Sequence, residues 1–148
     1  MTTLQIDTQI QASLDRTRPY LAPLLQRLAL TYGLPMGAAV IIAILVKPIL
    51  ASVLPVIPDS TATILVLALN MFVLVRGWGW METRYGGTKL FVLYNLVSRA
   101  RRDFKRLSTQ PSLDASLVDK GLQQLERSEH NFIEAMQGVV TGESQKSV

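Results

Sequence analysis

The chain has 148 residues, 49% of them hydrophobic, with 15 Lys and Arg against 11 Asp and Glu, a single histidine and no cysteine. Its formal net charge is +4, its sequence pI about 9.7 and its mean hydropathy +0.26. The lack of cysteine excludes disulfides, thiol nucleophiles and thiolate metal sites, and a basic chain this apolar reads as a membrane protein with polar arms, not as one large soluble core.

Residues 1–33 read as an amino-terminal amphipathic helical segment. The start, MTTLQIDTQIQ, lacks the basic stretch and apolar core of a cleaved signal peptide, so internal hydrophobic runs are expected to direct membrane entry. Leu4, Ile10, Leu14, Leu21, Leu25 and Leu28 recur at helical spacing with polar residues between them, one apolar stripe. Pro19 and Pro23 interrupt it, which predicts two shorter helices with a bend near Arg18. The stripe suits either the membrane interface or the surface of a neighbouring subunit.

Residues 34–81 carry the strongest signal. Leu34 to Ile57 has Lys47 as its only charge, and a second run is uncharged from Ser60 to Val75. About 20 apolar residues are what a helix needs to cross a hydrocarbon layer of about 30 Å. The pattern predicts two membrane helices, 35–54 and 60–80, joined as a hairpin, with Asp59, Ser60 and Thr61 capping the second. Gly37 and Ala43 lie on a small-residue surface that lets another backbone approach, Asn70 is placed to hydrogen-bond across to another helix, and Lys47 is expected to snorkel or meet a partner. These four are the candidate helix–helix contacts.

Arg76, Trp78, Trp80, Arg84 and Tyr85 mark the exit, with aromatic rings at headgroup level and guanidinium groups beside phosphate. Arg16, Arg18 and Arg27 precede the hairpin, its turn has no basic residue, and a dense basic cluster follows. Both termini are therefore expected on the cytoplasmic or stromal side.

Residues 82–109 form a basic juxtamembrane segment. Leu93, Leu96, Val97, Ala100, Phe104 and Leu107 line one side of a helix over 88–107, and Arg99, Arg102, Lys105 and Arg106 occupy much of the rest. Such a helix beside a membrane exit suits an anionic lipid surface. Nucleic acid is not expected as a partner, since neither stacking aromatics nor a binding module accompanies the charge. Over 112–140, Val118, Leu125, Phe132 and Val139 repeat every seven residues with Leu122 and Met136 between them, Glu129 breaking the set and Gly121 weakening it. This seam is the candidate oligomerisation surface, open to folding back on the preceding helix or to joining a second copy. Residues 141–148 read as a polar disordered tail.

Catalytic signals are lacking. His130 sits among Glu126, Glu129 and Glu134 on a polar face, the pattern of a solvated surface and not of a metal site, and no phosphate loop or nucleophile–base set is present. No cofactor, metal or enzymatic activity is expected. The expected fold is all-α, a two-helix transmembrane hairpin with amphipathic helices on both flanks.

The proline-bearing turn Leu54-Pro55-Val56-Ile57-Pro58, set between two closely spaced apolar helices and flanked by an amphipathic helix and an aromatic-basic exit, resembles the CURT1/CAAD family of thylakoid membrane-curvature proteins. The long segment after the second helix departs from that pattern. The resemblance implies a cyanobacterial or plastid membrane protein that oligomerises and bends bilayers, with no catalytic residue to carry over; a thylakoid or bacterial inner membrane is the expected location. The function expected is accordingly to shape or organise a membrane, or else to serve as a small accessory subunit of a secretion, respiratory or photosynthetic complex.

Overall fold

The computed structural model describes residues 3–53, 58–107, 109 and 114–144, and among these every regular element is helical. The order is α1 (Thr3–Thr17), a 3-10 turn (Arg18–Tyr20), α2 (Leu21–Leu28), a π turn (Ala29–Gly33), α3 (Leu34–Val53), α4 (Asp59–Tyr85), α5 (Gly87–Leu107) and α6 (Ala115–Ser144). The proline turn at 54–57 lies outside the described residues, as do 110–113 and 145–148. The chain divides into two compact units, Met1–Leu25 with Lys89–Val148, and Gln26–Thr88.

Local chemistry explains the breaks. Pro19 follows the end of α1, where its missing N–H and fixed φ tighten the chain into the 3-10 turn. Gly86 ends α4 in the left-handed conformation at φ 61°, and its N–H donates to the Glu82 carbonyl at 2.8 Å, a glycine cap. Asp114 caps α6: its Oδ1 accepts from the Ser116 N–H at 2.9 Å, while its carbonyl accepts from Leu117 and Val118. The start of α4 differs from expectation. Pro58 occupies the cap position with no side-chain bond, its carbonyl accepting from Thr61 and Ala62, and Asp59 is already inside the helix. α6 also continues to Ser144, into the stretch expected to be a polar tail.

The first unit is a helical bundle in which the amino-terminal arm packs with both carboxy-terminal helices. Its core joins Ile6 of α1, Ala100 and Phe104 of α5, and Val118 and Leu125 of α6, with Ile10, Leu107 and Leu122 packed against it. Phe132 and Met136 are fully buried, and the Phe132 ring meets those of Tyr20, edge-on at 6.3 Å, and Tyr94, at 5.6 Å. The heptad seam is thus occupied inside the chain, the fold-back alternative; Leu122 and Val139 are half-buried at its margins. Gly121 has a packing reason. A Cβ there would lie 2.9 Å from Leu107 Cδ1 and 3.0 Å from Phe104 Cδ2, so the missing side chain lets α5 approach α6. Leu96, expected on the apolar stripe of α5, is 49% exposed, and Leu90 takes part in the burial instead.

The second unit is an antiparallel pair, α3 against α4. Ala62 and Val66 are its buried α4 residues, and on α3 the half-buried or buried positions Pro35, Ala38, Ala39, Ile42, Val46 and Leu50 follow one helical stripe. Two helical stretches, Leu4–Leu50, which runs into α3, and Asp59–Tyr85, which is α4, are long and apolar enough to cross a membrane, by length and composition, and in each 11% of the most apolar 18 residues are buried.

Candidate membrane-facing site

α3 and α4 are apolar on nearly every side, yet each is covered by the other on one face only. Val40, Ile41, Ile44, Leu45 and Ile49 of α3, and Ile64, Leu67, Met71, Phe72 and Val75 of α4, are exposed, Ile44 to 65% and Phe72 to 61%. A helix that is hydrophobic all round needs a cover other than water.

Gly37 and Ala43 do not face α4: both are exposed, and nothing lies within 4 Å of a Cβ placed on Gly37. The close approach is made by Gly77, whose added Cβ would meet Pro35 Cβ at 3.4 Å, so small residues serve the pair at its base. Asn70 is half-buried with its Oδ1 unpartnered. Lys47 reaches Asp59 at the start of α4, Nζ to Oδ1 3.2 Å and to Oδ2 3.4 Å, both side chains well exposed. The one charge within α3 is thus held by the first residue of the partner helix, at the tip of the hairpin.

At the base, the end of α4 and the start of α5 form a corner clamped by residues 27–32. Arg27 is buried, and its Nη1 donates to the Tyr85 carbonyl, a terminal acceptor of α4, at 2.9 Å. Glu82 Oε2 accepts from the Thr88 N–H at 3.0 Å. The Tyr32 and Thr88 hydroxyls share a 2.8 Å hydrogen bond. Gly87 sits under Thr31: a Cβ would fall 2.5 Å from Thr31 Oγ1 and 2.9 Å from the Arg27 carbonyl oxygen. Thr31 Oγ1 itself is buried and unpartnered.

Aromatic and basic residues ring this corner. Trp78 and Trp80 are exposed, Trp78 stacks on Tyr32 at 6.2 Å, and the Arg84 guanidinium lies 5.6 Å from the Trp80 ring and 6.0 Å from that of Tyr85. Arg76 is exposed beside them. An apolar hollow of about 220 Å³ opens between Tyr32, Pro35 and Met36 on one side and Leu74, Val75 and Trp78 on the other. A second hollow, lined by Val75, Arg76, Gly79 and Trp80, adjoins it at Val75.

In the first unit, Arg99, Arg102, Lys105 and Arg106 are exposed on α5. Arg101, in the same basic run, is not. It is 7% exposed, and its guanidinium donates to Ser13 Oγ at 2.5 Å, to the Ser13 carbonyl at 2.8 Å and to Thr17 Oγ1 at 2.6 Å. Burial pulls its pKa below the ordinary arginine value, opposed by the Glu129 carboxylate and the Tyr94 hydroxyl. Glu129, the residue that breaks the heptad set, is buried with Oε2 3.0 Å from Arg16 Nη2 and Oε1 unpartnered. Arg101 had a readable signal, lying four residues after Val97 and three before Phe104 on the buried stripe. Arg27 and Thr31 had none beyond the glycine pair 86–87. His130 is on the surface, 3.7 Å from Glu134. Comparison of the chain with family models, with curated proteins and with solved structures found no match.

Proposed function

We propose that the chain is a non-enzymatic integral membrane protein whose α3–α4 hairpin lies in a bilayer and which organises that membrane by associating with copies of itself or with other membrane subunits. The observation that carries the reading is the uncovered apolar surface of the hairpin: in the stretch that runs into α3 and in α4 alike, 11% of the most apolar 18 residues are buried. A core helix of a soluble protein would be buried over most of that length. At about 1.5 Å per residue, helices of 20 and 27 residues are about 30 and 40 Å long, enough for the hydrocarbon layer. Gly37 and Ala43, exposed among large apolar neighbours, leave α3 a face that a partner helix can approach closely.

Two further observations support an arrangement with both arms on one side. The amino-terminal arm and the segment from Lys89 onward share one compact unit, which two sides of a bilayer cannot hold. The basic residues also cluster in those arms, as on a cytoplasmic or stromal face.

A second reading, bending of the bilayer by insertion into one leaflet, is favoured by the start of α5. There Phe91, Val92 and Leu96 are exposed shortly before the exposed cations Arg99 and Arg102. Against it, Val97, Ala100, Phe104, Val118 and Leu125 are buried inside the first unit and so are not free to enter lipid.

The test uses the cysteine-free chain with Val40→Cys or Ala68→Cys, both exposed positions. In native membranes a water-soluble maleimide should leave both unlabelled, and should label both after denaturation. Rapid labelling of both in membranes overturns the hairpin reading. Co-migration with other chains after mild solubilisation supports the subunit role, and tubulation of vesicles by the purified protein supports bending.

A further inference from the structure

From the two adjoining hollows at the base of the hairpin we infer a discrete site for one anionic phospholipid, its acyl chain against Trp78 and its phosphate at Arg76. The inference rests on the membrane reading above and adds to it a selective ligand.

The first hollow has the character of a chain site. At about 220 Å³ it is smaller than the roughly 300–1,000 Å³ of sites that enclose compact drug-sized ligands. It is lined by Tyr32, Pro35, Met36, Leu74, Val75 and Trp78, with Thr31 the one small polar residue, a largely apolar surface that suits a few methylenes.

The second hollow supplies the charge. It shares Val75 with the first and carries Arg76 one residue further along α4, so an amphipathic molecule crossing Val75 meets an apolar slot on one side and a guanidinium on the other. The Arg84 guanidinium lies 5.6 Å from the ring of Trp80, one of the residues lining this hollow. Among the described residues neither Arg76 nor Arg84 has a carboxylate partner. A planar guanidinium binds phosphate in bidentate fashion, and the tryptophan and tyrosine rings put the two hollows at the depth where headgroup and chain join. A zwitterionic lipid offers the same chain but adds a cation that opposes both arginines.

The experiment uses the full chain, whose two tryptophans, Trp78 and Trp80, each line one of the hollows. It is reconstituted in phosphatidylcholine vesicles containing increasing fractions of phosphatidylglycerol, with bromine on the chains of one lipid or the other, and tryptophan fluorescence is read. Brominated phosphatidylglycerol should quench saturably, at a mole fraction about tenfold lower than brominated phosphatidylcholine. Arg76→Gln should remove about fivefold of that preference and Arg76→Lys should restore most of it. Equal quenching by the two lipids, or a preference untouched by Arg76→Gln, overturns the site and leaves the membrane reading standing. Quenching by neither lipid in protein that floats with the vesicles also overturns it, since another protein chain then covers the hollow. Failure to float with vesicles at all overturns the membrane reading itself.

Discussion

Arg101 and Ser13 are 88 residues apart in the chain, and the Nε of one donates to the Oγ of the other at 2.5 Å inside the first unit. With the bonds to the Ser13 carbonyl and Thr17 Oγ1, a single guanidinium fastens α1 to α5. Replacing Arg101 by Met leaves the buried acceptors on α1 without their donor and leaves the Glu129 carboxylate with Arg16 as its cation. We expect a loss of about 3 kcal/mol in urea unfolding of the first unit. Arg101→Lys should recover little, because an ammonium lacks the fork that reaches three acceptors on α1.

The same residue sets a sign for pH dependence. Burial lowers the folded-state pKa of Arg101, so the unfolded chain holds that proton more tightly than the folded one. Its contribution to stability therefore rises with pH, and only in the alkaline range where arginine begins to titrate. Subtracting the Arg101→Met unfolding profile from that of the native chain should give a difference that is flat around neutrality and drifts towards greater native stability at high pH.

Gly87 is expected to tolerate no side chain. An alanine Cβ would fall 2.5 Å from Thr31 Oγ1 and 2.9 Å from a backbone oxygen of Arg27, so part of the clash cannot be relieved by a rotamer change. Gly87→Ala should destabilise the corner by about 1–3 kcal/mol. Thr31→Ala removes a buried unpartnered hydroxyl and should by itself be neutral or slightly stabilising. The double variant should recover part of the loss, as read by thermal denaturation in detergent.

Gly121→Ala should lower stability although alanine is the better helix former by about 1 kcal/mol. Phe104 is 1% exposed and has nowhere to go when a Cβ arrives 3.0 Å from its ring. Overpacking costs about 1–3 kcal/mol, which outweighs the propensity gain and leaves a net loss of about 1 kcal/mol in chemical denaturation.

Phe132→Ala should cost about 3–5 kcal/mol, since it empties a fully buried position between Tyr20 and Tyr94. The effect should be confined. Gln26–Thr88 is a separate compact unit, so protection of cysteines at positions 40 and 68 from labelling should persist while the first unit becomes protease-sensitive.

What the sequence determined by itself is the character of each segment. Apolar runs near 20 residues announce the hairpin and Pro19 announces the break after α1, because propensity acts between residues close in the chain; the caps at Gly86 and Asp114 became visible only in the structure. The stripes on α1, α5 and α6 were also legible, but a stripe reports only which residues avoid water and not what covers them. Tertiary structure decided that: Ile6, Phe104 and Leu125 cover one another inside the chain, while Phe91, Val92 and Leu96 of α5 stay exposed. It likewise separated Arg101 from Arg99, Arg102, Lys105 and Arg106, and set Gly77 against Pro35 while leaving Gly37 open. A cation in a basic run and a glycine in an apolar helix look alike along the chain. Their difference lies in which neighbour, tens of residues away, comes within 4 Å.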